Sequence, residues 1–140
     1  MAPLTSRSAA AVSKVELLAE GFEPATNVSS DALYGLTKSI GTHDVWPQVD
    51  AANRTVTGHG VGVALIDSGV DGVEGFGAGR VIEGPDLTVD AETEFAHDDR
   101  YGHGTHLAGI IAGRDSTVEA GRENSSDGFV GVAPDATVVS

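Results

Sequence analysis

The chain has 140 residues, 40% of them hydrophobic, enough for one domain with a modest core. It has no cysteine, which rules out disulfides, zinc–thiolate sites and a cysteine nucleophile while leaving the compartment open. Its net charge of −13, from 8 basic and 21 acidic side chains, leaves no basic patch for nucleic acid or an anionic membrane, and suits solubility or salt tolerance.

Residues 1–30, rich in Ala, Ser and Thr, read as a leader or linker, with a brief helical pattern from Val12 to Glu20 closed by Gly21. The apolar stretch between Arg7 and Lys14 is too short for a signal-peptide h-region, and no run approaches the roughly 18 apolar residues of a membrane helix. The sequons at Asn27, Asn53 and Asn124 are expected by chance. Residues 31–140 are expected to form the folded portion. Leu33, Leu36 and Ile40 follow helical spacing, and Trp46, just before Pro47, is expected to pack this surface helix onto the body. Asn53 to Gly60 reads as a turn.

Val61 to Ile66 is apolar on both alternating faces, as in a central parallel strand covered on both sides. Asp71 to Gly79 is a Gly-rich loop, Arg80 to Ile82 a second short strand, Glu83 to Asp86 a turn, and Asp90 to Arg100 acidic and irregular. Leu107, Ile110 and Ile111, with Ala108 and Ala112, predict a short helix stopping at Gly113. Arg114 to Gly128 reads as a charged, exposed loop. Ala136 to Val139 begins another buried strand, expected to leave an open edge and wet apolar surface. The whole is α/β, a mainly parallel sheet with flanking helices.

Two motifs carry chemistry. Asp67, in Ile66-Asp67-Ser68-Gly69-Val70, follows a buried strand, so its carboxylate emerges at the strand's carboxyl end, where open α/β sheets place their sites. His103, in Gly102-His103-Gly104-Thr105-His106, is expected to begin the helix, with both flanking glycines allowing close approach. An Asp67 carboxylate within hydrogen-bonding reach would orient the imidazole and stabilise its charged form. Alone, Asp67 also fits a strand-terminating turn that bonds its own backbone. His43, His59 and His97 are expected to be satisfied core or surface groups, and His106 to make a structural hydrogen bond. Alternatively, His103 and His106 bind a metal with Asp98 or Asp99, although no third imidazole or thiolate has matching spacing. No serine after His103 has a nucleophile's setting: Ser116, Ser125 and Ser126 fall in polar, loop-like sequence, and Ser140 is the last residue.

Gly60 to Val70 resembles the aspartate motif of subtilisin-like serine proteases (subtilases), and Gly102 to Gly109 resembles their histidine motif. Gly131-Val132-Ala133-Pro134-Asp135-Ala136 is similar to the segment leading into their next core strand, and the Asp-before-His order fits. The resemblance covers Leu36 to Ser140. It implies that Asp67 is the triad aspartate and His103 the general base of a serine endopeptidase acting on polypeptides. The family's serine motif and oxyanion-hole Asn motif are absent, so the chain is expected to be the N-terminal part of a catalytic domain, inactive alone and prone to self-association. The resemblance also implies secretion and bound calcium, for which the sequence offers neither signal peptide nor ligand pattern. The alternatives are a non-catalytic binding or regulatory protein on the same frame, separated by reading the gene past Ser140 for a serine motif, and a metal-dependent hydrolase, separated by metal analysis.

Overall fold

The computed structural model describes residues 31–140; the leader reading for residues 1–30 lies outside the described residues. Helix α1 (Asp31–Ser39) is followed by the single turn α2 (Thr42–Val45). The spacing of Leu33, Leu36 and Ile40 makes a helix as expected, but Leu36 and Ile40 face water at 47% and 58% exposure. Thr37 is the side chain that α1 buries instead; its hydroxyl bonds back to Leu33 O at 2.9 Å and meets His43 Nε2 at 3.0 Å. Trp46 is buried and its indole N–H donates to Val132 O at 3.0 Å, which fastens this helical arm to the body as expected.

Strands β1 (Gly62–Ala64), β2 (Val81–Ile82) and β3 (Thr137–Val139) form a three-stranded sheet in the order β1-β3-β2, every pair parallel. Gly62, Val63 and Ala64 lie opposite Thr137, Val138 and Val139, while Val81 and Ile82 pair with Val138 and Val139 on the other side. The strand expected over Val61 to Ile66 is therefore shorter, though Leu65 N–H still donates to Val139 O at 2.8 Å. Burial on both faces is not found for it: Val61 is exposed, and Ile66 is 90% exposed. The position of β3 also corrects an expectation. Ala136 to Val139 is no open edge but the middle of the sheet, with Ala136 and Val138 fully buried; β1 and β2 are the edges. Parallel pairing goes through crossovers, so the last strand in sequence is free to enter between earlier ones.

Helix α3 (His103–Ala112) packs across β3 and stops at Gly113, as predicted. Ala108 and Ala112 from α3 meet Val70 and Val138 in the core, with Leu65, Phe76, Val81 and Ile111 around them. Small residues on this face let the helix lie close to the sheet. The expected exposed loop from Arg114 to Gly128 is partly a buried one, because Val118 and Glu123 turn inward. Arg114 draws Glu123 in at 2.8 Å and holds Asp135 at 3.0 Å, joining this loop to the turn before β3. No helix among the described residues is long and apolar enough to cross a membrane.

Candidate active site

After Ala64 the chain leaves the sheet, so Asp67 lies in the bend beyond β1 rather than as its last residue. Asp67 Oδ1 accepts the Ser68 backbone N–H at 2.8 Å, the local turn bond expected of an aspartate here. The same oxygen lies 2.6 Å from His103 Nδ1. The His103 contact and the Ser68 N–H together hold the Asp67 carboxyl below its usual pKa. An ionised carboxylate only accepts, so Nδ1–H is the donor in this contact; a ring that carries its one proton there has its other lone pair on Nε2. His103 is 65% exposed and Nε2 has no hydrogen-bond partner among the described residues.

The two glycines around His103 do different work. Gly102 has φ 77°, a left-handed conformation that starts the helix, and an added Cβ there would meet nothing within 4 Å. At Gly104 a Cβ would stand 2.1 Å from Gly69 O, so only glycine lets the first turn of α3 touch the loop that carries Asp67. Close approach was expected of both; it applies to Gly104.

Asp99, named in the sequence only for the alternative metal reading, has a structural place at the start of α3. It is buried, and its carboxylate accepts Gly102 N–H at 2.8 Å and Thr105 N–H at 2.8 Å, satisfying donors that a helix start leaves free. Burial opposes its charge, but bonds from Thr105, Ser68 and Gly102 outweigh burial and keep its pKa below the ordinary value. An aspartate a few residues ahead of an apolar helical pattern was the available signal. Thr105 Oγ1 in turn accepts the Asp71 N–H at 3.0 Å, and Asp71 Oδ1 accepts the Asp99 N–H at 3.0 Å, a second tie between α3 and the post-β1 loop.

The remaining candidates separate. His106 is half-buried, but its ring makes no hydrogen bond among the described residues, contrary to expectation. His43 is satisfied as expected, bonded to Thr37 and stacked on Trp46 with centroids 5.0 Å apart. No group of three or more His, Asp or Glu side chains among the described residues is gathered as a metal ion needs. Ser116 bonds Glu74 and Ser125 bonds Asp127, neither near His103.

The family model described as "Subtilase family" matches residues 58–140. The chain belongs to the subtilase family. Among its relatives, Fervidolysin of Fervidobacterium pennivorans is 34% identical over 112 residues, which is 79% of this chain and 14% of that protein. Mycosin-1 of Mycobacterium tuberculosis is 42% identical over 89 residues, 64% of this chain and 17% of that protein. The major intracellular serine protease of Bacillus subtilis is 36% identical over 87 residues, 61% of this chain and 24% of that protein. This subtilase chain thus spans a small part, about 14% to 26%, of the curated relatives it matches. No solved structure matches it significantly. The small parallel sheet with helices packed on it is the frame in which the Asp67 and His103 motifs sit.

Proposed function

We propose that this chain supplies the aspartate and histidine of a serine endopeptidase, Asp67 orienting and His103 acting as general base, with the serine and the oxyanion donors lying outside these 140 residues. The observation that carries this is the 2.6 Å contact between Asp67 Oδ1 and His103 Nδ1. It sets the tautomer in which Nε2 takes a proton from a serine hydroxyl as that hydroxyl attacks a peptide carbonyl. Asp67 then stabilises the imidazolium until Nε2 returns the proton to the leaving amine. Substrates are polypeptides, the class the family cleaves.

The test is made in the full-length protein with an unfolded polypeptide as substrate. Asp67→Asn is expected to lower kcat by about 10⁴-fold through the wrong imidazole tautomer, and His103→Ala by about 10⁶-fold. Undiminished proteolysis in either variant ends the reading. The 140-residue chain alone is expected to hydrolyse nothing, because triad members act as a unit. Hydrolysis by it that His103→Ala abolishes would reveal another nucleophile. The same chain alone is expected to self-associate through the apolar side chains that surround Ile66, a tendency that light scattering measures.

A further inference from the structure

Asp67 Oδ1 has two lone pairs available and three donors within reach. The Ser68 backbone N–H lies at 2.8 Å, His103 Nδ1 at 2.6 Å, and the Ser68 hydroxyl oxygen at 3.2 Å. The Ser68 hydroxyl has a single proton and a nearer acceptor for it: Asp99 Oδ1 at 2.7 Å, an oxygen that also accepts the Gly102 N–H at 2.8 Å and the Tyr101 N–H at 3.2 Å. O–H···O bonds are strongest between about 2.5 and 3.0 Å, so the proton goes to Asp99 and the Asp67 contact is the longer, weaker one. The Gly104 N–H donates to Ser68 Oγ at 3.0 Å and fixes the hydroxyl in that orientation.

We propose that Asp99 is a positioning residue for the base: by taking the Ser68 hydroxyl proton it keeps both lone pairs of Asp67 Oδ1 for the Ser68 N–H and the His103 ring. Asp99 has a second hold on the same geometry, since it clamps the Gly102 and Thr105 N–H groups on either side of His103. It thus ties the helix start that carries the base to the loop that carries its orienting carboxylate. Without Asp99, the Ser68 proton turns to Asp67 and competes with the imidazole for one oxygen. The role as positioner rests on the reading of His103 as the general base; the hydrogen-bond competition does not.

The experiment is a double-mutant cycle of Asp99→Ala and Ser68→Ala in the full-length protein. The ring tautomer of His103 is read by long-range proton–nitrogen NMR at alkaline pH, where imidazole is neutral. Asp99→Ala is expected to move ring population from Nδ1–H to Nε2–H and to lower kcat roughly fivefold with KM unchanged, and the Ser68→Ala background is expected to remove most of both effects. Equal effects with and without the Ser68 hydroxyl would reduce Asp99 to a helix cap and overturn the proposal. If Asp99→Ala does not fold, Asp99→Asn serves, because asparagine caps a helix as well but offers Ser68 a neutral, weaker acceptor. A smaller change in the same direction is then expected, and an unchanged tautomer overturns the proposal. Asp67→Asn separates the two readings. If it spares proteolysis, the catalytic reading falls while the tautomer cycle still reports on Asp99; if it abolishes proteolysis and the cycle shows no coupling, only the role of Asp99 falls.

Discussion

At the joint between α3 and the loop after β1, the close contacts are answered within the chain: glycine against carbonyl, carboxylate against helix N–H groups, hydroxyl against carboxylate. On the adjoining face Ile66, Leu87, Val89 and Tyr101 stand between 82% and 96% exposed around a cleft of about 530 Å³ that opens beside Asp67. Polar groups at the joint find partners a few residues away or one loop across, so a short stretch of chain is enough to assemble them. The apolar side chains gain stability only under a covering surface, and the described residues do not supply one there. A proton-transfer pair is therefore compatible with an unfinished apolar surface next to it.

The largest effect is expected where the joint is tightest. Gly104→Ala puts a methyl group into Gly69 O and should cost about 3 kcal/mol in urea unfolding, with loss of the Nδ1–H tautomer at His103. A stability change near zero would mean that the joint yields easily and is no different from the open face. Thr105→Val is a gentler break. It keeps the volume but leaves the Asp71 N–H without its acceptor, and should cost about 1 to 2 kcal/mol, while Thr105→Ser should retain most of the stability.

On the open face the expectation reverses. Leu87→Ser with Val89→Ser should leave the unfolding free energy within about 0.5 kcal/mol, because neither side chain is buried, yet should reduce the concentration-dependent light scattering of the chain. A clear loss of stability would show that these residues are covered in solution.

The smallest effect concerns Asp86, in the loop beside that cleft. The His97 N–H, helped by the Thr88 hydroxyl and N–H, holds its pKa at about 2 against an ordinary 3.8. A depressed carboxyl pKa stabilises the fold above the unfolded value, and that contribution is lost as pH falls from 3.8 toward about 2. Asp86→Asn should accordingly flatten the dependence of Tm on pH across that window, as followed by circular dichroism. An unchanged slope would show that the loop bonds are already broken in solution.

The Asp67 and His103 motifs, the helix stop at Gly113 and the apolar strand over Ala136 to Val139 were all legible in the sequence. Each is a local property: a motif, a period or a helix-ending residue acts over a few positions, and the chain carries it wherever it folds. Tertiary structure decided the rest. It set β3 between β1 and β2, turned Leu36 and Ile40 to water while burying Thr37, and drew Glu123 under Arg114. It also made Asp99 a partner of Ser68. A carboxylate's role depends on which N–H or hydroxyl faces it, and a strand's burial on what lies across from it. The Asp99 cap lies within six residues and was within reach of the sequence, but its bond to Ser68, 31 residues away, and the burial of β3 are fixed by segments distant in sequence and are not written in the residues that carry them.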